Sequence, residues 1–426
     1  MINLENTEEN KKNNIRIYPI YKMLSWDLLF YYSIIFLFLT QAKGISAADV
    51  LLGESLYPIF KFILLIPLTA FIGKIGKRKS LIIANLMNAF SILAYLVANN
   101  FSYVVIGQFF SAIAFDIKSI TETNILYDAL PKGPKRGNQF SKIDGKGTSW
   151  YYYIDAISSI ASGFLYIINA YIPLILCLIA CIVSTILSFQ FKEINIKEEK
   201  TVTMKKYMKD LRRSFQYIFQ SSRLKYLIIF GAILSGMMGM LTSLRSATLE
   251  QIHFPEQYFG LVFGLLGVIS GISSKNQHRF HNHFHNKTLA VLALPTTVSC
   301  IFIGLAILGN IPYTATAIII LLLFLAQYVT KGPFYVLIKQ YLNNFTTSSL
   351  REKISSSYNL AESIARAMIG LIASYLLRFT TASNTMFIIG CIFTIVIVLL
   401  LDKMRGKVGL QPEEYAKKEI EFTEVK

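Results

Sequence analysis

The chain has 426 residues, of which 54% are hydrophobic and only 16% are charged, and its mean hydropathy is +0.48. A soluble protein of this length needs more polar surface than this composition supplies, so the composition excludes an ordinary soluble globular protein. The net charge of +17, taken by itself, would allow nucleic-acid binding.

The first 22 residues are polar and contain no apolar core that ends in small residues, so we expect a retained segment and no cleaved signal peptide. Twelve apolar runs follow, and a bilayer-spanning helix needs about 20 such residues. The runs are 23–42, 49–72, 80–98, 101–127, 147–170, 172–191, 226–246, 256–274, 288–309, 311–338, 354–377 and 384–401. Membrane strands would be about half as long. The sequence therefore predicts an all-α membrane protein with about twelve transmembrane helices.

The spacing of the runs divides the chain into two groups of six helices. We predict, in chain order, a cytoplasmic segment at 1–22, a six-helix bundle at 23–191, a linker at 192–225, a second six-helix bundle at 226–401 and a tail at 402–426. In the linker, apolar residues recur every three or four positions between 204 and 219, among lysines and arginines. This pattern predicts a basic amphipathic helix that contacts membrane lipid at the headgroup level.

The lysines and arginines indicate how the chain is oriented. Of the 42 basic residues, 35 lie in the two terminal segments, the linker and the connections on the same side of the predicted map. The opposite side has Lys43, Arg245 and Arg378. Because basic loops stay in the cytoplasm, both termini and the linker are expected there. This distribution also accounts for the positive net charge without nucleic-acid binding.

Cysteine and histidine do not indicate a metal or cofactor site. All four cysteines, Cys177, Cys181, Cys300 and Cys391, lie inside apolar runs and form no disulfide or zinc pattern. Four histidines fall within 277–287, at positions 278, 281, 283 and 285. Imidazoles so closely spaced could bind zinc or nickel. We interpret the segment instead as a solvated turn, and we expect no metal and no cofactor.

The turn after the second run resembles a motif of the major facilitator superfamily, G-x-x-x-D-R-x-G-R-R. Here Gly76 and basic residues match, whereas Thr69 replaces the first glycine and Gly73 the acid. The residues of this predicted gating loop are Gly73, Lys74, Gly76, Lys77, Arg78 and Lys79. The resemblance extends over essentially the whole chain. It implies a secondary transporter whose helices 3, 6, 9 and 12 lie outside, and the corresponding runs have no charged residue in their interiors.

Nine ionisable residues within the runs are the candidates for binding the solute or the coupling ion, because intramembrane charge is costly and rarely retained without use. They are Asp27, Lys61, Asp116, Lys118, Glu122, Asp155, Lys331, Glu362 and Arg366. Two pairs have the i, i+4 spacing of helical ion pairs. At 1.5 Å per residue from position 354, Glu362 and Arg366 lie about 12 and 18 Å deep, close to the midplane where carriers bind cargo. The alternative is that both pairs neutralise each other and only hold helices together.

The predicted function is the transport of a small organic solute by alternating access, with the proton as the coupling ion, in the plasma membrane of a bacterial cell. Export of amphiphilic compounds is slightly favoured by the 13% aromatic content. Uptake of a polar metabolite is the alternative, together with a non-transporting sensor or assembly protein of the same fold. An enzyme is disfavoured because no nucleophile–base constellation is present, and no phosphate-binding loop supports ATP-driven transport. We expect a monomer.

The orientation can be tested with reporter fusions at residues 10, 205 and 420. All three reporters should give a cytoplasmic signal, because the basic residues cluster on that side of the predicted map. An extracellular signal from any one of the three would contradict the topology.

Overall fold

The computed structural model describes residues 4–131, 133, 135–194, 204–284, 287–309, 311–344 and 351–404. The helices are α1 Leu4–Ser25, α2 Ile35–Leu37, α3 Ala47–Ile75, α4 Lys77–Leu96, α5 Phe101–Ala129, α6 Arg136–Ile168, α7 Ile172–Gln190, α8 Met204–Gln220, α9 Ser222–Gln251, α10 Phe259–Lys275, α11 Gln277–Phe284, α12 Thr288–Leu308, α13 Tyr313–Asn344, α14 Arg351–Phe379 and α15 Ala382–Met404. A π-helix, Phe38–Ala42, and a 3-10 turn, Glu256–Tyr258, complete the regular structure of these ranges.

The predicted all-α fold is confirmed, since the described residues contain no strand. Ten helices within them are long and apolar enough to cross a membrane, judged by length and composition alone. Two predicted runs are not among the ten. The run 147–170 forms the second half of the long helix α6, which contains several polar residues. The run 23–42 is not one helix.

Helix α7 shows why the composition is so apolar. Its residues Ile175, Ile179, Ile182 and Ile186 recur at helical spacing and are all exposed. Its buried residues are mostly small or polar, among them Cys177, Cys181, Ser184 and Ser188. Large aliphatic side chains point outward and small side chains point inward, which is the arrangement of a helix that faces lipid. The hydrophobic surface is therefore solvated by the bilayer and not by water.

The first predicted span is interrupted, and the prediction of a continuous helix at 23–42 was wrong. Helix α1 ends at Ser25, and regular helix resumes only at Ile35. The carboxylate of Asp27 accepts hydrogen bonds from the Leu28 backbone N–H at 2.8 Å and the Tyr32 hydroxyl at 2.7 Å. Such local side-chain bonds compete with the helical backbone pattern. The positive φ of Phe30, 61°, completes the break.

The polar segment that precedes the first span is helical and packed. Tyr18 and Tyr21 of α1 are fully buried, in a cluster with Leu81 and Phe191. The Tyr18 hydroxyl donates a hydrogen bond to Asp144 at 2.7 Å. These contacts bind the amino-terminal segment firmly to the helices that follow it.

Two compact units divide the chain. Unit 1 consists of residues 1–46, 59–204 and 255–264, and unit 2 of residues 47–58, 205–254 and 265–426. Helices α3 and α10 therefore each contribute residues to both units. The predicted bundle limits at 191 and 226 remain a prediction.

Unit 2 includes two amphipathic helices, one of 17 residues and one of 8 residues. The predicted linker helix forms as α8. The histidine segment, which we interpreted as a turn, forms the helix α11. Phe280 of α11 packs against the buried cluster of unit 2, which explains why the segment is helical and not an open turn.

Helix α14 approaches α9 closely at two glycines. A Cβ at Gly236 would lie 2.7 Å from the backbone nitrogen of Arg366, and one at Gly239 would lie 3.1 Å from its Cδ atom. Small residues allow membrane helices to pack backbone against backbone. Gly236 and Gly239 thereby determine how close Arg366 lies to α9.

We predict that Gly236→Ala destabilises the protein by about 1–3 kcal/mol, because an added methyl group would overpack the contact with α14. The matched control is Gly267→Ala on α10, where an added Cβ meets no atom within 4 Å. That control should be neutral or stabilised by about 0.5–1 kcal/mol, because alanine favours helix over glycine. Thermal unfolding in detergent measures both, and equal midpoints for the two variants would contradict the close packing.

Candidate functional site

The turn between α3 and α4 contains the predicted gating loop. Gly76 has a φ of 88°, a conformation that glycine adopts without strain. The first helical N–H groups of α4 are bonded by one carboxylate, since Lys77 N and Arg78 N donate to the two oxygens of Glu193 at 2.9 and 2.8 Å. A negative charge at a helix amino terminus is stabilised by the N–H groups and the helix dipole.

The basic residues of this turn also have defined partners. The Lys77 ammonium lies 2.6 Å from Asp128 at the end of α5, and the Arg78 guanidinium donates to the Phe189 carbonyl at 2.8 Å. The motif lacks its acid at Gly73, yet carboxylates distant in sequence, Asp128 and Glu193, contact the same turn. The remaining loop residues, Gly73, Lys74 and Lys79, are exposed.

In unit 1, two candidate residues from different helices meet. Lys61 of α3 lies 3.7 Å from Asp116 of α5, with side chains 34% and 3% exposed. The second oxygen of Asp116, Oδ2, is buried and has no hydrogen-bond partner among the described residues. Asp116 is thus held by one partly exposed cation and has one oxygen available for a proton.

Lys118 and Glu122 are both buried on α5. Each acts on the other electrostatically, but no ion pair joins them in the described part of the chain. The Oε1 atom of Glu122 has no hydrogen-bond partner there. The i, i+4 spacing therefore brings the Lys118 and Glu122 charges near one another, but the ion pair that this spacing predicts does not form in the described residues.

Asp27 and Asp155 form a second acidic region of unit 1. The Asp27 carboxylate lies near enough to Asp155 to act on it electrostatically. Asp27 lies in the helix interruption, where the Trp26 ring packs edge-on against Tyr151 at 4.9 Å and Tyr152 at 5.2 Å. Both carboxylates therefore adjoin flat aromatic surfaces.

In unit 2, Glu362 and Arg366 are partly exposed on α14. The stem of Arg366 packs at Gly239. Lys331 of α13 has its ammonium 5.2 Å from the centre of the Tyr328 ring, and its charge is repelled by nearby arginines. These three candidates therefore belong to one predominantly cationic region.

Two ionisable residues within the spanning helices were missed by the sequence analysis, the buried Arg245 and the partly exposed Glu54. We assigned Arg245 to the extracellular side because the predicted run ends at 246, but α9 continues to Gln251 and the Arg245 side chain is 0% exposed. Glu54 of α3 accepts a hydrogen bond from the Ser243 hydroxyl. The uncharged polar residues after Arg245, such as Ser246 and Thr248, were the available signal that the helix goes on.

The described residues contain no cluster of three or more histidine, cysteine, aspartate or glutamate side chains able to hold a metal ion. His283 is exposed on α11. The side chains of the other three histidines in this segment lie outside the described residues.

The sequence profile of the Major Facilitator Superfamily matches residues 22–326. This chain belongs to that superfamily, and its family and fold are those of membrane transporters. A sequence comparison with curated proteins gives no match. Secondary transport is accordingly the general function of the protein, and the predicted membership of the superfamily is confirmed.

Solved structures share the fold at low identity. A mutant form of the nucleoside transporter NupG is 11% identical with a TM-score of 0.72, covering 93% of this chain and 99% of its own. A POT family transporter in complex with a thioalcohol-conjugated peptide is 15% identical, with a TM-score of 0.66 and coverages of 94% and 96%. A D-xylose-proton symporter is 12% identical, with a TM-score of 0.66 and coverages of 94% and 99%.

We predict that Glu362→Gln abolishes or uncouples transport while the folded yield stays near normal. The physical reason is that a charge used in binding cannot be replaced, whereas a purely structural ion pair can often be removed at little cost when both charges go together. The measurement is the transport rate relative to expression for Glu362→Gln, Arg366→Gln and the double variant.

The matched control changes the exposed neighbours Asp402 and Lys403 to Asn and Gln together, which should leave the rate unchanged. A double variant at Glu362 and Arg366 that is folded and fully active would remove this pair from the mechanism.

Proposed function

We propose that this protein is a proton-coupled secondary transporter of a small organic solute, and that Asp116 carries the proton. The single observation that supports this proposal is the half-satisfied state of the Asp116 carboxylate. One oxygen faces the Lys61 ammonium at 3.7 Å, while the other is buried without a partner among the described residues.

Such a carboxylate can be either ionised or protonated. Ionised, it is stabilised by Lys61; protonated, it no longer needs a cation in its low-dielectric surroundings. Lys61 is one-third exposed, so it can leave Asp116 and contact another anionic group when the carboxylate takes up a proton. Proton binding by Asp116 is thereby linked to a change in the partner of Lys61. A link of this kind is what proton-coupled transport requires.

The aromatic groups around Asp27 and Asp155 suit an organic solute. The partly exposed ring of Trp26 and the exposed ring of Tyr152 offer aromatic surface for stacking, and the carboxylates offer hydrogen-bond acceptors near them. Apolar walls with few polar groups are the usual composition of small-molecule sites. Lys61, the partner of Asp116, also acts electrostatically on Asp27, so solute recognition here would adjoin the residue proposed to carry the proton.

The direction of movement has two candidates. The aromatic content supports export of amphiphilic compounds, as the sequence predicted. The name of one structural neighbour, a D-xylose-proton symporter, favours uptake of a polar metabolite as the second candidate. A protein that binds solute without moving it would be the sensor or assembly protein instead.

We place the transporter in the plasma membrane of a bacterial cell, as a monomer with both termini in the cytoplasm. The distribution of lysine and arginine supports this orientation. The basic helix α8 would then contact anionic headgroups on the cytoplasmic side.

We predict that Asp116→Asn loses solute-driven proton movement but keeps solute exchange, because asparagine preserves the shape and cannot ionise. Proteoliposomes containing a pH-sensitive dye measure proton movement, and counterflow measures exchange. The solutes are a panel of uridine, D-xylose, dialanine and the amphiphile ethidium, loaded on either side to determine direction.

Asp402→Asn, at the exposed end of α15, is the matched control and should behave as the wild type. Proton movement by Asp116→Asn at the wild-type rate would reject Asp116 as the proton carrier. Binding of a panel solute without any counterflow would favour the sensor.

A further inference from the structure

Arg245 is the largest completely buried side chain in the described part of the protein. Its Nε atom donates a hydrogen bond to the Gln327 side-chain oxygen at 2.7 Å. Its two terminal nitrogens, Nη1 and Nη2, are buried and have no hydrogen-bond partner among the described residues. A buried guanidinium normally has most of its donors satisfied, so this one requires an explanation.

The orientation of the guanidinium is held from one side. Gln327 accepts from Arg245 with its oxygen and donates with its nitrogen to the Ser299 hydroxyl at 2.7 Å, so its amide cannot turn over without losing both bonds. This bond occupies Nε and leaves the Nη1–Nη2 edge without a hydrogen-bond partner among the described residues. That edge is a planar fork of donors that matches the two oxygens of a carboxylate or phosphate.

A second cation lies beside the first. The Arg245 guanidinium carbon lies 4.7 Å from the centre of the Tyr328 ring, and the Lys331 ammonium lies 5.2 Å from the same centre. Neither cation forms an ion pair with a carboxylate in the described residues, and Arg245 and Arg366 both repel the Lys331 charge. Like charges held together in an enclosed region are costly, and a bound anion relieves that cost.

We propose that unit 2 contains an oxyanion site in which the Nη1–Nη2 edge of Arg245 binds a carboxylate or phosphate group and Lys331 supplies the second positive charge. For what the anion is, this inference rests on the proposed function: the anion is the acidic group of the transported solute. Because the chain encloses Arg245, the bound group is removed from water. Attraction between opposite charges is stronger in this low-dielectric interior than in water. A transporter architecture exposes such a buried site alternately.

The test is binding of inorganic phosphate and of acetate to the purified full-length protein in a neutral maltoside detergent. Thermal unfolding midpoints are measured against sodium chloride at equal ionic strength, because a ligand of the folded state raises the midpoint. Phosphate or acetate should raise the midpoint more than chloride does. Arg245→Gln should abolish this difference, and Lys331→Gln should weaken the apparent affinity about tenfold or more.

The matched control is Arg279→Gln, at the exposed arginine of α11, which should respond like the wild type. If Arg245→Gln does not fold, Arg245→Lys and Lys331→Gln decide the matter. The lysine keeps the charge and loses the fork, so its anion response should fall as well.

The proposal is overturned if the wild type shows no anion-specific rise, or if the variants retain the full rise. It is also overturned if only added phosphatidylglycerol protects, since that would assign the cations to a lipid headgroup. Binding does not require transport. If the protein binds the anion but moves no proton, the anion site stands and the proposed proton-coupled function is rejected. If the protein moves protons with a solute but binds neither anion, the proposed function stands and the anion site is rejected.

Discussion

The structure depends on one constraint: a charged or polar group inside a membrane-spanning helix must find its partner within the protein, because lipid supplies none. The exposed surface of α7 satisfies the constraint by presenting isoleucines outward. The interior satisfies it by pairing across helices, as Lys61 does with Asp116 and Arg245 with Gln327. Where pairing is incomplete, the free atoms are the best indication of function.

Among the candidate charges inside the spans, both units contain buried atoms without a hydrogen-bond partner in the described residues. In unit 1 these include carboxylate oxygens of Asp116 and Glu122. In unit 2 they include the two terminal guanidinium nitrogens of Arg245. An unpartnered carboxylate suits a proton, and an unpartnered guanidinium suits an anion. The two proposals accordingly assign the proton to a carboxylate of unit 1 and an acidic group of the solute to the guanidinium of unit 2.

In the turn between α3 and α4, helix N–H groups and a lysine are likewise paired with carboxylates of the protein itself. The family motif has its acid within the turn, whereas here Glu193 and Asp128 supply carboxylates from other parts of unit 1. An acid that contacts this turn therefore need not lie within it. Although Gly73 replaces the acid of the motif, the turn still contacts two carboxylates.

The sequence by itself determined the helical fold and the number of apolar runs, because hydropathy and span length are local properties of consecutive residues. It also located nine candidate charges, but not their partners. Only the tertiary structure decided that Lys61 meets Asp116, that Lys118 and Glu122 form no ion pair in the described chain, and that Arg245 is enclosed. It also decided the break at Asp27, where side-chain hydrogen bonds outweigh an apolar run. Each of these outcomes depends on packing between groups distant in sequence or on competition for a backbone donor, which no hydropathy pattern records.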